Sequence, residues 1–291
     1  MSRNKNRIIR ETAELEPPTS HTPPTPPTPT REANPFGLSF VEPTEVVELP
    51  SAGRFYPEDH PLHGVSSIEI KQMTAKEEDI LANNNYIDSG QVYERLLDSI
   101  IVNKSIKSKD LLPGDQDALL LRARRSGYGD EIENNEFCPS CGKRVDVKYD
   151  LSSVENKQTD LPLGVHFEES SSTFAFTLPK SNIKVSMRLL TGTEKEYMRK
   201  QRENKERLNI ETNDTIDFLR QAIVSANGIT DPGLLNQLVE VLPAIDSRKI
   251  RIMQKRLSPS IDTSQTATCP SCGSDIEGEI PFNLNFFWPE L

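Results

Sequence analysis

The sequence predicts an α+β fold in two similar halves, and three observations carry that prediction. A strand–helix–helix–helix order reads twice along the chain. One pentapeptide, Cys-Pro-Ser-Cys-Gly, occurs at 138–142 and again at 269–273, and it holds all four cysteines among 291 residues. An aspartate precedes each copy at the same distance, 23 residues from Asp115 to Cys138 and 23 from Asp246 to Cys269. Similarity that holds without a gap across a helix and a strand points to an internal duplication.

The elements follow in order. Residues 17–30 read PPTSHTPPTPPTPT, seven prolines in fourteen positions, which excludes helix and core. Residues 1–45 are therefore expected to form a disordered Pro/Thr-rich arm, extended and without a packed face, and His21 falls within it. Ordered structure is expected from Val46 onward, with a turn at Ser51-Ala52-Gly53. Residues 65–73 alternate apolar and polar, with Val65, Ile68 and Ile70 on one side, and read as a strand. Thr74-Ala75-Lys76-Glu77 has the form of a capping box opening a helix that buries Ile80 and Leu81 and stops at Asn83-Asn84-Asn85. A second helix spans 91–102 with Val92, Leu96, Ser99 and Ile100 on one face. A third starts at an Asp115 cap, carries Leu119, Leu120 and Ala123, and ends at Gly127 and Gly129. A strand around Ile132 leads to Cys138.

The second half repeats the order. Residues 173–179 and 183–189 predict a hairpin turned at Lys180-Ser181-Asn182. Thr193-Glu194-Lys195-Glu196 reads as another capping box, opening a helix through Tyr197 and Met198. Residues 218–224 align with 96–102. Asp246, Ile250 and Ile252 align with Asp115, Leu119 and Leu121. Val145 and Tyr149, after the first pentapeptide, align with Ile276 and Ile280 after the second. The copies cover about 65–153 and 182–286, within a first repeat at 46–160 and a second at 161–291.

The pentapeptides carry the chemistry. Two thiolates separated by two residues point into one tight turn and can ligate one tetrahedral metal. Proline fixes φ at the turn's start and glycine allows positive φ after the second Cys. One such knuckle is half of a closed site. Cys138, Cys141, Cys269 and Cys272 together are expected to bind one structural Zn²⁺ per chain in a zinc-ribbon-like site where the halves join, with iron the main competitor. Lys143 and Arg144 would offset the charge of four thiolates. A thiol–disulfide redox site also uses Cys-x-x-Cys, but on one motif at a helix N-terminus. Here each motif is followed by Gly and an alternating strand. A catalytic zinc is disfavoured because four cysteines leave no open position.

The remaining candidates have plainer readings. His60 and His63 sit in a Pro-rich loop read as solvated, and His166 stands alone on a strand. Glu77, Glu78 and Asp79 lie in a helix's first turn, where negative charge suits the macrodipole. The run 195–207 mixes signs and reads as a solvated helix face. No Ser/His/Asp set, phosphate-cradling loop or zinc-protease motif occurs, so no enzyme is expected. The net charge of −10 and pI near 5.1 oppose generic nucleic-acid binding. No run of about 18 apolar residues occurs, so no membrane span is expected. The first residues have charge but no apolar stretch behind it, which predicts no secretory leader, a reducing cytosol and no disulfides.

Leu49-Pro50-Ser51-x-Gly53-x-Phe55-Tyr56-Pro57, then Met73-Thr74-Ala75-Lys76-Glu77-Glu78-Asp79-Ile80-Leu81, then Cys-Pro-Ser-Cys-Gly, resemble the base plate hub and hub-assembly proteins of T4-like contractile-tailed bacteriophages. The C-terminal Pro281-Phe282, Phe286-Phe287-Trp288-Pro289 fits the same pattern. The resemblance covers roughly residues 45–290. It implies a late viral protein made in the bacterial host cytoplasm, a hub component of the virion tail base plate or a hub-assembly factor, binding other tail proteins and carrying no catalytic residues. The aromatic tail reads as domain core or as interface anchors. The alternative from another class is a zinc-ribbon nucleic-acid-binding regulatory protein.

Overall fold

The computed structural model describes residues 42–157, 159–282 and 284–288. Most of the expected arm, with His21, lies outside the described residues, as does Pro289. The elements run β1 (Thr44–Glu48), β2 (Ser67–Lys71), α1 (Ala75–Leu81), α2 (Asn84–Asp88), α3 (Val92–Ile100), α4 (Pro113–Tyr128), β3 (Glu131–Phe137), β4 (Arg144–Asp150) and β5 (Asn156–Lys157). There follow β6 (His166–Glu168), β7 (Thr173–Thr177), β8 (Lys184–Met187), α5 (Gly192–Arg207), α6 (Asp214–Ala222), β9 (Ile223–Ala226), α7 (Pro232–Val241), α8 (Ala244–Leu257), β10 (Ser260–Ile261), β11 (Ser264–Thr268) and β12 (Asp275–Glu279). The described residues thus form a mixed α+β protein with eight α-helices and several small antiparallel sheets.

β1 and β2 pair with Val47 opposite Ile68, and both side chains are buried with Ile70. The loop between them turns at Gly53, where φ is +72° and an added Cβ would lie 2.4 Å from the Val65 nitrogen. Only glycine satisfies both conditions. Asp115 is not the helix cap expected from its sequence. Leu112 caps α4, Pro113 takes the first helical position and Asp115 lies inside the first turn, fully buried. It accepts hydrogen bonds from the Ser51 N–H (3.0 Å), the Ser51 hydroxyl (2.7 Å) and the Tyr56 hydroxyl (2.6 Å). Tyr56 in turn accepts from the Leu112 N–H at 2.9 Å, an N-terminal donor the helix itself leaves unpaired. Burial pushes the Asp115 carboxyl up, while the Tyr56 and Ser51 donors oppose that. Burial, then the Asp115 charge, pushes the Tyr56 phenol up. His60 is not simply solvated: its ring stacks on Tyr56 at 4.4 Å and its Nδ1 accepts from the Leu62 N–H. His63 Nδ1 lies 2.8 Å from the Tyr56 carbonyl oxygen. The loop 49–63 is thereby fastened to α4 through one carboxylate.

Two capping boxes are present, one of them displaced from its expected place. The Thr74 N–H and hydroxyl donate to Glu77, which also takes the Ser99 hydroxyl from α3. The second box is Thr191 with Glu194, two residues before the expected Thr193. The Asn83–Asn85 run does more than stop α1, since the Asn83 side chain accepts from the Asn85 N–H and opens α2. Gly127 continues α4, and Gly129 (φ +84°) ends it.

β6, β7, β8 and β9 form a four-stranded antiparallel sheet in that order. Met187 on β8 pairs with Ile223 at the start of β9, and Ile70 on β2 bridges Ile101 just after α3. Asp246, in the first turn of α8, accepts from the Lys180 and Ser181 N–H groups of the β7–β8 turn at 2.8 and 2.9 Å. β5 pairs with β10, tying residues after β4 to residues after α8. Phe286 and Phe287 are completely buried, so the aromatic tail is core, with Trp288 exposed. Arg124 holds that tail. Fully buried, it donates to the Phe286, Gly129 and Glu131 carbonyls at 2.8, 2.8 and 2.9 Å.

Tyr56→Phe removes one hydroxyl that serves Asp115 and Leu112 and should destabilise the chain by about 1–3 kcal/mol in denaturant titration. Glu77 and Glu194 are each raised by burial, but the Ser99 and Thr74 donors on Glu77, and the Thr191 donors on Glu194, outweigh it and leave both below the ordinary value of 4.5. The ionised forms therefore favour folding. Their contribution is present above pH 4.5 and lost as pH falls through the lowered folded values. The double variant Glu77→Gln, Glu194→Gln should show a flatter loss of stability on acidification than the parent.

Candidate metal centre

The site is built by two hairpins. β3 and β4 pair from Glu131↔Asp150 to Phe137↔Arg144, and β11 and β12 from Ser264↔Glu279 to Thr268↔Asp275. Alternation fixes which side chains face inward: Val145, Val147 and Tyr149 on β4 are buried, as is Ile276 on β12. Each hairpin ends in a Cys-Pro-Ser-Cys-Gly turn of the same geometry. Cys138 N–H donates to Lys143 O (2.9 Å) and Gly142 N–H to Cys138 O (2.9 Å). Cys269 N–H donates to Ser274 O (2.8 Å) and Gly273 N–H to Cys269 O (2.9 Å). Gly142 and Gly273 have φ of +72° and +74°, the left-handed conformation that L side chains resist.

The hairpin tips meet. The four sulfurs of Cys138, Cys141, Cys269 and Cys272 all lie within 4.8 Å of one another. Cys138 Sγ is 3.7 Å from Cys272 Sγ, and Cys141 Sγ is 3.9 Å from Cys269 Sγ. In both contacts the first cysteine of one turn faces the second of the other. A tetrahedral ion about 2.3 Å from each sulfur requires sulfurs about 3.8 Å apart, which the Cys138–Cys272 and Cys141–Cys269 contacts match. The spacing does not fit disulfides, and all four cysteines are free. Cys138 and Cys269 are buried, Cys141 is half-buried and Cys272 exposed.

Electrostatics demand a cation if all four are to ionise. Cys272 is drawn down to about 6, first by the Ser274 hydroxyl and N–H and then by its sulfur neighbours. Cys141 is pushed up to about 11: the Lys143 N–H lowers it most, but burial and the three surrounding thiols override that donor. Thiols this close take protons in turn, and only a positive ion at their centre lets four thiolates coexist. Lys143, expected as a charge partner, enters through its backbone.

The sequence reading missed what holds the hairpins against each other. Gly278 on β12 faces Tyr149 on β4, and an added Cβ would lie 2.1 Å from the Tyr149 hydroxyl. That hydroxyl donates to Glu136 on β3 at 3.0 Å. The signal was a glycine interrupting an alternating strand, which marks a close approach. The other candidates are not drawn to the centre: His60 and His63 belong to the Tyr56 loop, and His166 lies exposed on β6.

A family model described as T4 bacteriophage base plate protein matches residues 43–288. No curated protein and no solved structure matches the chain. The match spans both hairpins, the Tyr56 loop and the buried aromatic tail, and the chain therefore belongs to the T4 bacteriophage base plate protein family.

Proposed function

We propose that this chain is a non-enzymatic component of the tail base plate hub, or a factor that assembles it, whose two halves are stapled by one structural zinc ion. The observation that carries the reading is the convergence of four thiols from two hairpins far apart in sequence, inside a chain of the base plate family. Zinc suits four thiolates in a tetrahedron, and a closed Cys₄ set leaves no position for substrate. When bound, the ion would neutralise the thiolates and join the hairpins. The protein's own contribution is two preformed turns and the Gly278–Tyr149 contact that brings them together. The ribbon-like hairpins are read as zinc-ribbon halves, and the binding partners as other tail proteins met in the host cytoplasm during assembly.

We also infer that the halves are copies, 46–160 and 161–291, related by a pseudo-twofold axis through the metal. Support comes from matched contacts at matched positions. Asp115 and Asp246 each accept from a turn that follows a strand and a Leu-Pro pair. Glu77 and Glu194 close equivalent boxes. The Ile70–Ile101 bridge mirrors the Met187–Ile223 pair. Exchanging the two turns carries the Cys138–Cys272 contact onto Cys269–Cys141. β1 and β7, TEVVE and TFAFT, then correspond position for position, each followed by Leu-Pro.

Freshly purified full-length chain should contain one zinc per molecule by elemental analysis. Cys141→Ser and Cys272→Ser should each lose it and melt far below the parent, since structural zinc contributes on the order of 10 kcal/mol. Parent protein without metal, melting like its variants, would contradict the reading. Gly278→Val should release the ion faster to a chelator by driving Tyr149 from its seat. Affinity-tagged chain from infected cells should bring down other tail proteins, whereas a salt-sensitive shift of DNA or RNA in a gel would favour a nucleic-acid role instead.

A further inference from the structure

Over its fourteen residues, AIDSRKIRIMQKRL, α8 carries Arg248, Lys249, Arg251, Lys255 and Arg256 against one carboxylate, Asp246. The chain as a whole carries −10. Asp246 is fully buried and accepts from the Lys180 and Ser181 N–H groups, so it leaves the helix surface to the cations. Arg248, Arg251, Lys255 and Arg256 are exposed and Lys249 is half-buried. None of the five joins an ion pair among the described residues. α5 is built differently: Arg199, Lys200 and Arg202 each pair with a glutamate one turn away on the same helix. Nor does α8 need these charges for itself. Lys255 and Arg256 in the last turn suit the macrodipole, but Arg248, Lys249 and Arg251 lie before that turn. Arg248 with Arg251, and Arg251 with Lys255, are like charges at i, i+3 and i, i+4, which oppose the helix.

The same face is not purely basic. Ile245 is 57% exposed and Ile252 47%, and two turns apart they form one apolar line along the helix. At about 3.6 residues per turn, Arg248, Arg251 and Lys255 border that line on one side and Lys249 and Arg256 on the other. The pattern selects the chemistry of its occupant. Phosphates would engage the cations and leave both isoleucines in water. A helix with an apolar stripe bordered by carboxylates meets the isoleucines and both rows of cations together. The negative charge of the rest of the chain repels such a helix everywhere else and steers it to α8. On the proposed repeat, Arg251 and Ile252 stand where α4 has Leu120 and Leu121, both buried by the chain's own packing; that comparison alone rests on the repeat. We propose that the exposed face of α8 is the docking surface for an acidic amphipathic helix of another tail protein. This deepens, and rests on, the reading of the chain as a binder of tail proteins.

The probe is a labelled synthetic helix of about five turns, with leucine at i, i+4, i+7 and i+11 and glutamate on both borders. Titrated with full-length chain, its fluorescence anisotropy should report binding at roughly 10–100 μM that weakens as salt rises. Arg248→Glu with Arg251→Glu, and separately Ile252→Gln, should each weaken it at least tenfold while leaving the melting temperature of the chain unchanged. A probe with glutamine in place of leucine should also bind at least tenfold more weakly. No binding up to about 1 mM, equal binding by the variants, or equal binding of the glutamine probe would overturn the proposal. So would duplex DNA that held α8 more tightly than the probe. Affinity-tagged chain from infected cells separates this from the broader reading. If the parent and the Arg248→Glu, Arg251→Glu variant bring down the same tail proteins, α8 is not the dock and the assembly role stands. If the parent brings down none yet holds the probe, the assembly role fails and the chemistry of the α8 face stands.

Discussion

Two hairpin tips, each closed by the same five residues, bring four sulfurs within 4.8 Å of one another although the pairs lie 127 residues apart in the chain. Four thiolates cannot share that volume without a positive charge among them, and four neutral thiols gain little from meeting there. The arrangement therefore makes physical sense around a cation, and the rest of the molecule is organised to present it. β3 and β4 carry one pair, β11 and β12 the other. α4 and α8, the helices that lead into the two hairpins, each anchor a buried aspartate on a distant turn.

The constraint acts on the surroundings as well as on the ligands. Gly278 leaves the room that Tyr149 fills, and Tyr149 reaches Glu136 on the neighbouring strand. Arg124 spends its whole guanidinium on backbone carbonyls, two of them at the start of the first hairpin and one in the C-terminal aromatic segment. The Tyr128 ring lies 5.4 Å from this charge and the Asp130 carboxylate also acts on it, and its removal would leave the buried Phe286 carbonyl without its donor. The chain's tail is thus fastened to the same helix and strand that deliver Cys138.

Much of this was legible in the sequence because it depends on local chemistry. The knuckles declare themselves by spacing, the alternating strands after them by period two, and the helices by caps and apolar faces. Structure departs from expectation where a local rule has two solutions. Asp115 precedes a helical pattern and looked like a cap, but Pro113 starts the helix earlier and frees the carboxylate for Ser51 and Tyr56. Thr191 and Thr193 each have an acid three residues on, and Leu189 and Leu190 packing into the core decides for the former. Asn83 both ends one helix and opens the next. What could not be read is long-range: that Tyr149 meets Gly278 and that Arg124 meets Phe286. Those are properties of packing, and no window of sequence contains them.

The central claim is that both hairpins ligate the same ion. X-ray absorption at the zinc edge on the intact chain tests it most directly. The account predicts a single shell of four sulfurs at about 2.3 Å with no lighter scatterer in it. A shell of two sulfurs completed by nitrogen or oxygen would mean that each knuckle binds alone, and would contradict it.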